Sequence, residues 1–222
     1  MKEQILYTQP HISIVTPCYN SAKFIRECIE GVLAQDYPYV EHIIQDAASD
    51  DGTVDIIREY ADIYPDRIKW VSESDKGQAD GLNRALQRAR GEIILVLNAD
   101  DTILPYACSW AVKQFNEHPD VAVVYGDVYI INEKSEVIEK FHTRPYDYKK
   151  LLCVELVPPA QAAFIRRSMF EDVGYYADIS LDTCPDFEMW VRIGLKYPMM
   201  YVPGFITRYR RHIQEFDSKQ KR

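Results

Sequence analysis

Ile93-Ile94-Leu95-Val96-Leu97-Asn98-Ala99-Asp100-Asp101 is the stretch that decides the fold. Five apolar residues in a row, rich in β-branched types, suit a strand covered on both faces, here the central strand of a parallel sheet. The run ends in carboxylates, which therefore stand at the carboxyl end of the strand, where open α/β sheets bind ligands. Earlier in the chain the same grammar occurs: an apolar run from Val40 to Ile44, then Gln45-Asp46-Ala47-Ala48-Ser49-Asp50-Asp51-Gly52-Thr53. Bare carboxylates repel phosphate, so a divalent cation is the natural intermediary. The combination points to a metal-dependent enzyme acting on a nucleotide-linked substrate.

Working outward, Ile12 to Thr16 predicts a first strand closed by Pro17, and Phe24, Ile25, Cys28, Ile29, Val32 and Leu33 recur at helical spacing. Asp46 ends the second strand, and Val54, Ile56, Ile57, Tyr60 and Ala61 mark the next helix. Ile68 to Val71 gives a third strand, and Gln78 to Ala89 a helix stopped by Gly91. Pro105 suits the first turn of a helix that ends before Pro119, and Val121 to Tyr125 is a further strand. This alternation predicts an α/β fold, a doubly wound, mainly parallel sheet with helices on both faces.

After Gly126 the pattern changes. Val128 to Ile131 and Val137 to Phe141 read as a hairpin around Asn132-Glu133-Lys134-Ser135. A short helix near Tyr146 to Leu152, a strand from Ala162 to Arg166 and an amphipathic helix from Asp186 to Lys196 follow. The 222 residues read as one domain, with about 10–125 forming a nucleotide-binding half and about 126–222 a smaller mixed, acceptor-side half.

A net charge of −8 argues against nucleic acid as a partner. Cys18, Cys28, Cys108, Cys153 and Cys184 are scattered with no Cys-x-x-Cys pair, as free thiols in a reducing cytosol would be. The N-terminus lacks a signal-peptide layout and no apolar stretch approaches the ~20 residues of a membrane span, so the expectation is a cytoplasmic protein. Arg208, Arg210, Arg211, Lys219, Lys221 and Arg222 outnumber Glu215 and Asp217 near the end. That stretch reads as a solvated tail or as peripheral contact with anionic lipid at the inner face of a membrane.

The usual nucleotide signatures are missing. The nine glycines form neither Gly-x-Gly-x-x-Gly nor Gly-x-x-x-x-Gly-Lys-Ser/Thr, and there is no Gly-x-Ser-x-Gly elbow. What remains is a doubly wound sheet that handles its ligand with carboxylates and a metal.

Six segments in order then resemble the family-2 glycosyltransferases of the GT-A fold. Val15-Thr16-Pro17-Cys18-Tyr19-Asn20 is similar to that family's strand-one run, and Asp46 to Thr53 to its Asp-Gly-Gly-Ser-Thr-Asp-Gly-Thr segment. Ser74 to Asn83 resembles its Asp-Lys-Gly-x-x-Asp-Ala-x-Asn segment, and Asn98-Ala99-Asp100-Asp101 its Asp-x-Asp-type metal motif. Pro185-Asp186-Phe187-Glu188-Met189-Trp190-Val191-Arg192 resembles its Glu-Asp-Tyr-x-Leu-Trp-x-Arg helix start, with Pro185 where many members have Glu. Tyr209-Arg210-Arg211-His212 is similar to its late Tyr-Arg-x-His element.

The resemblance implies an inverting, Mn2+- or Mg2+-dependent transferase using a nucleoside-diphosphate sugar, UDP-linked by preference, and a glycan or lipid-linked acceptor. It assigns Asp101 as leading metal ligand, Asp100 beside it on ribose or metal, and His212 to the metal shell or a phosphate. Asp46 would accept from the uracil ring nitrogen, Thr16, Pro17 and Tyr19 would line the base pocket, and Asp75 and Gly77 would meet nucleotide or sugar. Asp80 and Asn83, one turn apart on one helix face, would bind sugar hydroxyls. Arg210 would grip the diphosphate bidentately. Asp186 would be the catalytic base, with Asp182 and Glu188 as fallbacks. A sugar-1-phosphate nucleotidyltransferase and a catalytically inactive nucleotide-binding relative stay open, although the Cys18-Tyr19-Asn20-Ser21 loop lacks the glycine and charge that a triphosphate needs.

Overall fold

Ile12, Ile14, Val15, Ile93, Ile94 and Leu95 are completely buried, as strands sandwiched between two helix layers must be. The computed structural model describes residues 9–176 and 185–212. Its first half alternates as read: β1 (Ile12–Cys18), α1 (Ile25–Leu33), β2 (Val40–Asp46), α2 (Thr53–Ile63), β3 (Ile68–Ser72), α3 (Gln78–Arg88) and β4 (Ile93–Val96). Then come β5 (Thr102–Ile103), α4 (Ala107–Glu117), β6 (Val123–Ile131), β7 (Val137–Phe141), α5 (Tyr148–Leu152), β8 (Ala163–Arg166), α6 (Ser168–Val173), α7 (Pro185–Lys196) and β9 (Met199–Arg210).

The strands make one sheet in the order β3-β2-β1-β4-β8-β6-β9-β5, with β7 paired to β6. β3, β2, β1 and β4 are mutually parallel. Alternating side chains serve both faces. On one, Ile12, Ile14, Ile25, Ile29 and Ile57 belong to clusters formed with α1, α2 and α4. On the other, Val15, Ile43, Leu82, Ala85, Trp190 and Ile193 join α3, α6 and α7.

The second half departs from the expected order in three ways. β6 does not neighbour β4, because β8 lies antiparallel between them with Ala163, Phe164 and Ile165 buried. β6 also runs unbroken from Val123 to Ile131, so the expected Val121 to Tyr125 strand and the first hairpin strand are one. Finally, β9 pairs parallel with β6 across twelve residues and had no strand signal, because Pro203-Gly204 interrupts the apolar pattern. The structure accommodates the break with register shifts beside Gly126, where an added Cβ would lie 2.7 Å from the Gly204 carbonyl oxygen. Cys18, Cys28, Cys108 and Cys153 are free thiols, as expected; Cys184 lies outside the described residues.

Candidate active site

The sheet order reverses direction of growth between β1 and β4, so the loops after those strands part and leave a crevice at their carboxyl ends. A cleft of about 790 Å³ occupies this place. Its walls are Pro17 to Ser21 after β1, Ala47 after β2, Ser74, Asp75, Gly77 and Gln78 leading into α3, and Asn98 to Asp100 after β4. Phe24 and the late residues Tyr209, Arg210 and His212 close it. Asn20 ties the first two loops together: its N–H donates to Ser49 Oγ (2.8 Å) and its side-chain oxygen accepts from the Asp50 N–H (3.1 Å). Its φ of +46° falls in the left-handed region that asparagine tolerates better than most residues.

Asp100 and His212 meet at the wall, Asp100 Oδ2 lying 2.7 Å from His212 Nε2. The His212 ring also rests 5.5 Å, centroid to centroid, from Phe24. Asp101, expected as the leading ligand, does not reach the cleft. It is completely buried and accepts the Arg210 main-chain N–H (2.8 Å). Burial, then the neighbouring Asp100, hold its carboxyl well above the usual range. Asp100 is the aspartate of this pair that lines the cleft.

Arg210 is also reassigned. Its guanidinium is buried and spent on the protein: Nε donates to the Asp100 carbonyl (2.8 Å), Nη1 to the Asn132 carbonyl (2.7 Å) and Ser135 Oγ (3.1 Å), and Nη2 to Glu27 (2.7 Å). No pair of donors is left for a bidentate phosphate grip. With Arg210 buried and Arg211 paired to Glu139 at 3.0 Å, neither adds to an exposed basic patch. Lys219, Lys221 and Arg222 lie outside the described residues.

Thr16 is buried and shares a hydrogen bond with His42 Nε2 (2.9 Å) instead of lining the cleft. Asp46 sits just beneath the cleft floor, buried, with both carboxylate oxygens engaged by Ser49, Ser72 (2.6 Å) and the Cys18 thiol (3.6 Å). Tyr19, by contrast, is 64% exposed, a ring face available for stacking. Pro17, Asp75 and Gly77 line the cleft as expected. Gly77 holds φ at +119°, so its N–H turns onto Asp75 Oδ1 (2.9 Å) at the start of α3. The other Asp75 oxygen lies 2.5 Å from where a Cβ on Gly81 would stand, so glycine at that helix position makes room for the carboxylate.

Asp80 and Asn83 share a helix face but not the cleft. Asp80 accepts the Lys76 N–H (3.0 Å) and pairs with Arg84 (2.8 Å). The Asn83 amide is used at both ends by the Tyr176 backbone, at 3.0 Å each way. Asp186 stands in the first turn of α7, apart from the cleft lining. Burial raises its pKa, and among the described residues its carboxylate has no hydrogen-bond partner. Burial first, and then the charge of Asp186, raises the pKa of the Tyr176 phenol. The fallback Glu188 is held by the Arg192 fork at 2.5 and 2.6 Å, and Asp182 lies outside the described residues. Asn98, Gln78, Asn20, Phe24 and Tyr209 carried no assigned role in the sequence, although all but Phe24 lie in the quoted motifs.

The mainly parallel sheet flanked by helices, with a crevice at its switch point, is an α/β fold of the GT-A type. The chain belongs to glycosyl transferase family 2, whose sequence profile matches residues 13–174. It is 26% identical over 193 residues to the chondroitin synthase of Escherichia coli, an alignment covering 87% of this chain and 28% of that protein. Its structure resembles the mannosyltransferase PcManGT of Pyrobaculum calidifontis, solved in complex with GDP-Man and Mn2+ (TM-score 0.69, 25% identity, 89% of this chain and 56% of that one). It shares its fold with S. aureus TarS 1-349, solved with UDP-GlcNAc (TM-score 0.73, 20% identity, 90% of this chain and 58% of that one). The chain thus spans well under two thirds of each of these three proteins. Among the described residues, no helix is long and apolar enough to cross a membrane.

Proposed function

We propose that this chain transfers a sugar from a nucleoside-diphosphate sugar, UDP-linked by preference, to a hydroxyl of a glycan or lipid-linked acceptor with inversion. The observation that carries the reading is the Asp100–His212 pair in the wall of a cleft formed by the loops after β1 to β4. Among the described residues no three His, Cys, Asp or Glu side chains converge. A hard cation bound by one or two side chains and completed by substrate phosphates fits that donor set: the carboxylate suits Mn2+ or Mg2+, and the imidazole favours Mn2+ of the two. Asp100 and His212 would hold it, and when bound it would neutralise charge on the departing diphosphate.

The remaining work falls to the chain. Tyr19 and Pro17 face the base, and Asp75 and the Gly77 turn meet ribose or sugar. Asp46, with its hydrogen bonds to Ser49 and Ser72, supports the base pocket from below and orders the floor beside Ala47. The relatives carry different nucleotides, GDP in one and UDP in another, so preference has to come from these local contacts. Asp186 takes the acceptor proton, since a desolvated carboxylate is a stronger base than one in water. Tyr209 and His212 return from the second half of the chain to the donor cleft.

The test is a donor and acceptor panel run with wild type and Asp186→Asn. The variant is expected to lose about 10²–10⁴-fold in turnover while binding nucleotide as wild type does. Sugar transfer at the wild-type rate would remove Asp186 from the reaction.

A further inference from the structure

We propose that Glu27, on α1 and outside the cleft lining, is a positioning residue for the Asp100–His212 pair; the proposal rests on the donor-site reading above. An acid in the first turn of a helix is ordinary company for the helix dipole. Glu27 does more than that. Its Oε2 accepts from both Arg210 Nη2 and Ser135 Oγ, each at 2.7 Å.

Arg210 connects this carboxylate to the ligand-facing residues by two opposed bonds. Its Nε donates to the Asp100 carbonyl, and its main-chain N–H donates to the Asp101 carboxylate. The β4 loop and the end of β9 are therefore clamped from both sides. His212 follows two residues later and reaches Asp100 Oδ2 at 2.7 Å. The guanidinium is fully buried, with its centre 4.4 Å from the Phe24 ring centroid, while the Glu27 side chain is 36% exposed. A buried cation needs a fixed counter-charge, and Glu27 is the one that pairs with it. Without it, Arg210 would turn toward water or another acceptor, and the Asp100 carbonyl would lose its donor. The pair that faces ligand would then be free to separate.

The experiment titrates Mn2+ into the full chain with UDP present and follows free Mn2+ by electron paramagnetic resonance, for wild type, Glu27→Ala, Glu27→Asp and Glu27→Gln. Loss of an outer partner of a metal ligand costs about 10–100-fold in metal affinity, and that weakening is expected for Ala and for Asp, whose shorter chain falls short of Arg210. Gln keeps an acceptor oxygen at the same reach but removes the counter-charge, so its affinity is expected to fall between those of Glu27→Ala and wild type. UDP affinity in excess chelator should be the same in all four. Wild-type Mn2+ affinity in Glu27→Ala overturns the proposal. If the Ala variant does not fold, wild-type affinity in Glu27→Asp overturns it equally. A wild-type chain that takes up no Mn2+ with UDP overturns the donor-site reading itself, which separates the two failures.

Discussion

Asp186 and His42 are desolvated in opposite senses, and each leaves a measurable trace. For Asp186 the folded pKa lies above the unfolded one, so the charged form is the costly one. The cost is absent at low pH and grows as pH rises through the raised value. Asp186→Asn should therefore raise the melting temperature at neutral pH while abolishing transfer, and a lowered melting temperature would contradict the burial argument. His42 is pushed down to about 3, by burial first and then by Arg67. The neutral ring stabilises the fold above the unfolded pKa near 6.5, and that contribution drains away as pH falls toward the folded value. Unfolding free energies from urea titrations should drop between pH 7 and pH 4 by on the order of a few kcal/mol, and the drop should flatten in His42→Gln. At this scale the sequence named only part of the cleft, and it did so through the family resemblance of the runs that hold Pro17, Tyr19, Asp75, Gly77, Asp100 and His212. It misjudged Thr16, Asn83 and Arg210, since a hydroxyl, amide or guanidinium reads the same whether its partner is a ligand or a distant backbone.

Helix α3 packs on the sheet through Leu82 and Ala85 while its first turn lines the cleft. Its Gly81 leaves space for the Asp75 carboxylate, so Gly81→Ala should displace that carboxylate and raise the donor KM several-fold. Stability should hold or rise by up to ~1 kcal/mol from helix propensity; an unchanged KM would show that Asp75 does not touch donor. On the same face of the sheet as α3, Arg192 of α7 donates to the carbonyls of Val173, Gly174 and Tyr175. Arg192→Ala strips three acceptors of their donor, with an expected loss of about 2–3 kcal/mol and slower turnover through looser support of Asp186. Equilibrium unfolding checks the first and steady-state kinetics the second. The element-level surprises were β8 and β9. Periodicity identifies a strand such as Ala163–Arg166 but not its insertion between β4 and β6, and the Pro203-Gly204 break in β9 is tolerated only because Gly126 faces it across the ladder.

At the scale of the whole fold, the nine strands among the described residues form one sheet, so the first and second halves of the chain are joined by backbone pairing. The chain's last described residues come back to its first loops, placing His212 beside Asp100 at a separation of 112 residues. The first four strands were legible because each holds a short, mainly apolar run closed by a polar turn. The return of β9 was legible only as the short Tyr209-Arg210-Arg211-His212 motif, whose strand partners are far away in sequence. The central claim is that Asp100 and His212 form a metal-dependent nucleotide site. Its most direct measurement is thermal unfolding with UDP and with GDP, in Mn2+ and in excess chelator, for wild type and Asp100→Asn. A ligand that binds only the folded chain raises the melting temperature by mass action. The prediction is a shift with a nucleoside diphosphate, larger with UDP, that appears only with Mn2+ and vanishes in Asp100→Asn. An equal shift in chelator, or one that survives in Asp100→Asn, would contradict it.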